Sequence, residues 1–304
     1  MNVARTASPL FPGENMTRQE FIHSLFAAVG GLVRARPANG SSFFQERTTS
    51  GLTIRQIRNA TLVVEYAGKR FLVDPMLARK GAYPPFPNSV RQDQRNPLVE
   101  LPMPVEQVIA GIDAVFLSHL HLDHYDDAAR EMLPKDIKVF VQDDADNGRV
   151  EAAGFTNVEV LTDATKFEGI TLSKTKAQHG RGEILKRSGQ VCGVVFKHPR
   201  EKTLYIAADT VWFEGVREAI DAHQPAIIVV NGGDNQFFNS GSLVMGKDDI
   251  YEVHKAAPKA TIIVCHMEAV NHYTLPRAEL KAFIKDKGIA SSVLVPDDGE
   301  SYTY

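Results

Sequence analysis

Cysteine is scarce in this chain: Cys192 and Cys265 are the only two among 304 residues. They form no paired spacing, which excludes a disulfide scaffold, a zinc ribbon and a dithiol redox centre, so any metal must rely on histidine and carboxylate. Long apolar runs are absent too, and none approaches the roughly 18–20 residues that a membrane-spanning helix needs. Neither sign of charge dominates. The formal net charge is −3 and the sequence pI is near 6.4, so no global basic field favours nucleic acid as a partner. Missing as well are a Gly-x-Ser-x-Gly nucleophile elbow, a phosphate-cradling Walker loop and a Gly-x-Gly-x-x-Gly dinucleotide fingerprint.

With 43% hydrophobic and 23% charged residues, the chain can bury a substantial core as one large domain or two modest ones. A change of character near residue 50 divides it. Residues 1–50 mix Pro, Gly, Ser, Asn and Arg around one possible helix at 17–28 and read as an N-terminal extension, whereas residues 51–304 carry the patterns of a catalytic domain. Thr17-Arg18-Gln19-Glu20-Phe21-Ile22-His23 and the apolar run after it resemble a degraded twin-arginine export signal, with Gln19 in place of the second arginine. A short surface helix with a flexible arm is the preferred reading and puts the protein in the cytoplasm. A working signal would put it in the periplasm.

From Leu52 the chain opens with strand candidates at 52–57, 61–66 and 70–74. A Pro-rich connection over 75–104, longer than an ordinary loop, leads to the apolar strand Ala114–Leu117. Further strands are expected at 138–141, 158–161, 170–176, 191–197, 203–207, 226–230, 261–264 and 292–295, and helices near 125–132, 143–153, 214–223, 247–256 and 276–287. Two such halves give two sheets packed face to face with helices outside.

The chemistry concentrates in Ser118-His119-Leu120-His121-Leu122-Asp123-His124. A strand end with period-two alternation puts His119 and His121 on one side, and a turn into a helix then presents Asp123 and His124. A lone histidine is usually a core or surface residue. Three histidines and an aspartate packed this closely are hard to explain that way, and imidazole and carboxylate are suitable donors for zinc.

This run resembles the signature of the metallo-β-lactamase superfamily, His-x-His-x-Asp-His after a core strand. Further matching positions recur in order, each where an apolar strand stops: His179 after Thr171–Gln178, Asp209 after Leu204–Ala208 and His266 after Ile262–Cys265. The resemblance implies a four-layer αββα sandwich and two divalent ions, zinc first, with Mn2+ or Fe2+ as alternatives. It implies His119, His121 and His179 on the first ion, Asp123, His124 and His266 on the second, and Asp209 bridging. Asp74 would support this shell by hydrogen bonding. The opening Ile57–Glu65 with Phe71–Pro75 is most similar to the branch containing ascorbate-phosphate lactonase and N-acyl-phosphatidylethanolamine phospholipase D relatives.

The activity so implied is hydrolysis by a metal-bridging hydroxide, acting on a small lactone, ester or amide. A phosphodiesterase or nuclease, and a metal-binding protein without catalysis, are the alternatives. A small-molecule substrate is the expected partner, with no nucleic acid; an oligomer is left open. Asp123 is a candidate catalytic group. Among Glu268, Asn271, His272 and Tyr273, which follow His266, His272 is the preferred proton donor. Asn231-Gly232-Gly233-Asp234-Asn235 reads as a tight turn. Cys265 reads as a buried strand residue. The 75–104 connection is a candidate wall or lid, and equally a cover for hydrophobic surface or a subunit contact; the hairpin-like loop 180–189 reads first as a solvated tip, and if it projects over the site it puts Arg181 ahead of Lys186 and Arg187 as a contact for an anionic substrate.

Overall fold

Short β-branched runs separated by tight turns dictate how the fold opens. In the computed structural model, which describes residues 51–304, β1 (Thr53–Arg58), β2 (Thr61–Tyr66) and β3 (Lys69–Val73) form an antiparallel meander. Ala67 and Gly68 join β2 to β3, both with left-handed backbone (φ 51° and 78°), the conformation a two-residue hairpin of matching twist requires. The chain then changes mode. α1 (Val105–Ile109), β4 (Ala114–Phe116), α2 (Asp127–Met132), β5 (Lys138–Val141), α3 (Asp144–Ala152) and β6 (Val158–Val160) add parallel strands through helical crossovers.

The second half repeats the plan. β7 (Thr165–Phe167), β8 (Ile170–Lys176), β9 (Cys192–Lys197) and β10 (Leu204–Ile206) pair antiparallel. After α4 (Glu214–His223), β11 (Ile227–Asn231) joins β10 in parallel, followed by the small hairpin β12 (Gln236–Phe237) and β13 (Gly241–Ser242). α5 (Lys247–Ala256), β14 (Thr261–Cys265), α6 (Arg277–Asp286) and β15 (Val293–Leu294) extend the sheet, and β16 (Ser301–Thr303) crosses back to pair with β1. The result is two seven-stranded sheets, ordered β16-β1-β2-β3-β4-β5-β6 and β15-β14-β11-β10-β9-β8-β7.

Three apolar clusters show how the layers stack. One lies between the sheets, where Phe196 of β9 meets Phe71 of β3 at 5.0 Å and Tyr66 of β2 at 5.5 Å between ring centroids. A second packs α4, α5 and α6 on the outer face of the second sheet, and a third packs α1, α2 and α3 on the first. Each large side chain so buried contributes roughly 1.5–3 kcal/mol. The architecture is therefore the αββα sandwich. No helix among the described residues is long and apolar enough to cross a membrane.

The differences from expectation are local. β7, β12, β13 and β16 were not anticipated, because strands of two or three residues carry too few alternations to register as a pattern. The 180–189 loop is not a hairpin: Gly182–Lys186 forms a 3-10 turn. The helix expected at 17–28 and the export-like segment lie outside the described residues.

The start of the long 75–104 connection is held from beneath. Arg58, fully buried, donates to the carbonyls of Met76, Ala78 and Val99. Burial lowers its pKa to about 10, so the guanidinium stays charged at neutral pH.

Candidate metal centre

The expected ligands converge at one end of the sandwich, from strand ends of both sheets. His119 and His121 lie beyond the end of β4, on irregular chain rather than on the strand. Asp123 and His124 occupy a turn before α2, closed by the N–H groups of His124 and Tyr125 donating to the carbonyl of His121 at 2.9 Å, so they are not presented by the helix itself. His179 follows β8, Asp209 follows β10 and His266 directly follows β14. Three turning points have left-handed backbone: Asp74 at φ 44°, Ala208 at 58° and His266 at 62°. Such conformations cost a non-glycine residue of order 1 kcal/mol and persist where the surroundings impose them.

Hydrogen bonds on the outside of the rings decide what faces inward. Asp74 accepts from the Ser118 backbone N–H at 2.8 Å, from Ser118 Oγ at 2.7 Å and from His124 Nδ1 at 2.9 Å. Having donated its one proton to Asp74, the Ser118 hydroxyl can only accept from His119 Nδ1, 3.0 Å away. His179 Nδ1 donates to the carbonyl of Leu243 at 3.0 Å. In the neutral rings the inner Nε2 atoms of His119, His124 and His179 are thus lone pairs. His266 lacks this anchor, its buried Nδ1 having no partner.

These inner atoms crowd one another. His119 Nε2 is 2.9 Å from His121 Nδ1, and His124 Nε2 is 3.2 Å from His266 Nε2. Asp209 Oδ2 stands 3.2 Å from His124 Nε2 and 3.6 Å from His179 Nε2, while Asp123 Oδ2 is 3.3 Å from His266 Nε2. Lone pairs and carboxylate oxygens pointed at one another in a buried space repel unless a proton or a metal cation lies between them. Three groups have all their donor atoms within 4.8 Å: His119, His121 and His179; His119, His124 and Asp209; and Asp123, His124 and His266. The residues therefore fit a metal-binding role, and Asp209 lies at the seam between the two triads.

Electrostatics agree. Burial alone would lower the pKa of His124, but Asp209, Asp123 and Asp74 outweigh it and push the value well above normal. Burial would likewise raise Asp209 and Asp123, yet the surrounding histidines, His124 foremost, hold both carboxylates well below their usual range. The concentrated negative charge that draws a proton here suits a metal cation as well.

Beside this cluster lies a cavity of about 280 Å³. His121, Asp123, His179 and Asp209 line it on one side, and Phe86, Leu122, Ile184, Phe237 and Leu243 supply apolar walls. Phe86 comes from the Pro-rich connection, which is fastened by Asn271: this fully buried amide bonds to the N–H and C=O of Phe86, to Ser89 Oγ, to the carbonyl of Val90 and to Asn96. Of the four polar residues considered after His266, only His272 reaches the cavity. Glu268 pairs with Arg277 at 3.0 Å, and the ring of Tyr273 lies under Arg91 at 3.7 Å.

The preference for Arg181 is corrected. Its guanidinium pairs with Asp249 at 2.7 Å, away from the cavity, and Lys186 pairs with Glu183, whereas Arg187 sits at the cavity. The tight-turn reading of 231–235 is incomplete. Asn231 Nδ2 donates to Asp209 Oδ1 at 2.6 Å, and Asn235 Nδ2 meets His272 Nε2 at 3.2 Å. Gly233, at φ 98°, passes so near the next strand end that a Cβ would lie 2.6 Å from the carbonyl of His266. Cys265 is buried and donates to Asn231 Oδ1 at 2.9 Å.

Comparison with known proteins follows the same lines. A model of the beta-lactamase superfamily domain matches residues 69–267. The UPF0173 protein YddR of Bacillus subtilis (strain 168) is 62% identical over 254 residues, covering 83% of this chain and all of that protein. The crystal structure of an isothiocyanate hydrolase from Delia radicum gut bacteria is 44% identical, with a TM-score of 0.79 over 83% of this chain and 99% of that one. A possible metal-dependent hydrolase from Veillonella parvula DSM 2008 is 37% identical, with a TM-score of 0.81 over 84% of this chain and all of its own.

Proposed function

The chain belongs to the beta-lactamase superfamily and is a metal-dependent hydrolase of the metallo-β-lactamase fold, and from that premise we propose that it uses two divalent ions to hydrolyse a small neutral substrate with an electrophilic carbon. Isothiocyanates come first, by likeness to the gut-bacterial hydrolase at 44% identity; lactones, esters and amides share the same chemistry. The observation that carries this reading is the ring of inward lone pairs and carboxylates beside a cavity with apolar walls.

His119, His121 and His179 would hold the first ion, Asp123, His124 and His266 the second, and Asp209 would bridge them. Imidazole and carboxylate suit zinc, with manganese or iron as alternatives. Bound ions supply the Lewis acidity that makes water a nucleophile near neutral pH and polarises the substrate. Asp123 borders the cavity, as Asp209 does, and would receive the proton that water sheds. The walls from Phe86, Ile184, Phe237 and Leu243 hold the organic group of the substrate and exclude bulk water. With an isothiocyanate, water's oxygen adds to the central carbon and the C–N bond breaks with protonation of nitrogen, leaving an amine and carbonyl sulfide.

Arg187 at the cavity favours a second reading, a phosphodiesterase whose anionic substrate it would pair with. One experiment separates them. Protein purified without added metal is analysed for metal content, then assayed with zinc and with manganese on benzyl isothiocyanate, γ-butyrolactone, p-nitrophenyl acetate and bis(p-nitrophenyl) phosphate. Two metal equivalents and turnover of the neutral compounds are expected. A single equivalent, or turnover of the phosphodiester alone, overturns the proposal.

A further inference from the structure

Among the described residues, Arg187 is the one arginine or lysine that lines the cavity beside the metal centre. Its backbone is fixed by the 3-10 turn that it ends. The N–H groups of Arg187 and Ser188 both donate to the carbonyl of Ile184 at 2.9 Å, and Ile184 and Ser188 are buried. Two residues beyond Arg187, the left-handed Gly189 (φ 78°) passes the proposed ligand His121, where an added Cβ would lie 4.0 Å from Nε2. Successive Cα atoms are about 3.8 Å apart, so the arginine is anchored within roughly 7 Å of that glycine. Its side chain is long and exposed, and it starts from the cavity wall.

The other cations of this loop show what sets it apart. Arg181 pairs with Asp249 and Lys186 with Glu183, so each is neutralised on the loop surface. The guanidinium of Arg187 has no hydrogen-bond or ion-pair partner among the described residues. The two carboxylates that border the same cavity are turned to histidines instead: Asp123 faces His266 at 3.3 Å and Asp209 faces His124 at 3.2 Å. Two divalent ions on the proposed ligands would more than balance Asp123 and Asp209, so metal loading adds to the positive field of Arg187 rather than cancelling it. Arginine keeps its charge at any physiological pH. One guanidinium matches a carboxylate both in charge and in shape, two N–H groups to two oxygens. A phosphate monoester brings nearly two charges and three acceptor oxygens, more than this single cation can meet.

We propose that Arg187 is a specificity-determining residue that pairs with a carboxylate carried on the substrate's organic group, away from the electrophilic carbon. The assignment rests on the hydrolytic function proposed above and narrows its substrate class: the reacting group stays uncharged, and the acid is a second point of recognition. It differs from the phosphodiester reading, in which the charge that Arg187 meets sits at the reacting centre. Wholly neutral substrates enter the apolar cavity as before, and those that end in an acid bind more tightly.

The test sets metal-loaded full-length protein beside Arg187→Ala, Arg187→Lys and Arg187→Glu, on probes that differ only in an acid. 4-Carboxybenzyl isothiocyanate and its primary amide form one pair; the p-nitrophenyl monoester of glutaric acid and its amide form the other. Carboxylate and amide are nearly equal in size, so the ratio of their KM values isolates the charge. In the wild type the acid should have a KM about five- to tenfold below that of the amide, between the effect of an exposed ion pair and that of a buried charged hydrogen bond. That advantage should vanish in Arg187→Ala, survive in part in Arg187→Lys, which keeps the charge without the fork, and invert in Arg187→Glu. Calorimetric binding of phenylacetate and phenylacetamide gives a readout that needs no turnover: the preference for the acid should be lost in Arg187→Ala and shrink in high salt. No preference for the acid in the wild type overturns the assignment. So does a preference that persists in Arg187→Ala, as it would if the carboxylate sat on the metals. Hydrolysis of neither pair, with a calorimetric preference that depends on Arg187, strikes the hydrolytic reading instead.

Discussion

Asp209 is held by a relay that begins at a thiol. Cys265 Sγ donates to Asn231 Oδ1, which turns the amide so that its Nδ2 donates to Asp209 Oδ1 and leaves Oδ2 facing His124 and His179. The thiol serves as this donor because burial raises its pKa and keeps it protonated. Groups that orient a ligand typically matter 10–100-fold in metal affinity. Asn231→Leu should therefore release metal to a chelator about 10–100-fold more readily, whereas Asp209→Asn, which removes the charge between the two triads, should abolish most activity and lower metal content. Wild-type retention in Asp209→Asn would remove Asp209 from the centre, and in Asn231→Leu it would remove Asn231 from the relay. The histidines and aspartates of this centre were legible in sequence because each follows an apolar strand. Asn231 and Asn235 were not, since Asn-Gly-Gly-Asp-Asn is also ordinary turn composition. What aims Asn231 at the site is the parallel pairing of β11 with β14, which sets Asn231 opposite Cys265, and local sequence carries no trace of that register.

At the scale of elements, the centre depends on where strands stop and how closely they approach. Gly193 in β9 lies where an added Cβ would be 2.5 Å from Thr175 Oγ1 and 2.7 Å from the carbonyl of Ile206, in the strand that leads to Asp209. A backbone carbonyl gives way only if β10 shifts. Gly193→Ala is therefore expected to destabilise the protein by roughly 1–3 kcal/mol and to weaken metal retention as well, measured by denaturant titration and chelator competition. A stability loss with unaltered retention would mean that the strain relaxes away from Asp209. The longer strands and helices were readable from periodicity because each offers several turns or alternations. The 3-10 turn at Gly182–Lys186 was not, being built on a single buried residue, Ile184.

For the whole molecule, two expectations follow. The Bacillus relative is covered completely by 83% of this chain, and the described residues 51–304 contain both sheets and every proposed ligand. We propose that residues 1–50 are an extension, so removal of residues 1–40 should leave a cooperative calorimetric transition and the full metal content; loss of either would make the extension part of the folding unit. The second expectation concerns pH. His272 has a pKa of about 4 when folded and 6.5 otherwise. Between these values the unfolded chain takes up a proton that the folded chain refuses, so the contribution of this group to stability is full above pH 6.5 and is lost toward pH 4, a change of roughly 3 kcal/mol. His272→Asn should flatten that limb in denaturant titrations, and an unchanged slope would mean that other groups set it.

The walls of the cavity are not equally free to change over evolutionary time. Leu243 lines the cavity while its carbonyl orients His179, so a lineage that remodels the β12–β13 hairpin for a new substrate disturbs a proposed metal ligand as well. Phe86 hangs instead on Asn271, which touches no proposed ligand side chain. Divergence in substrate range among close relatives should therefore accumulate in the 83–96 segment, where a change of shape leaves the inorganic half of the site untouched.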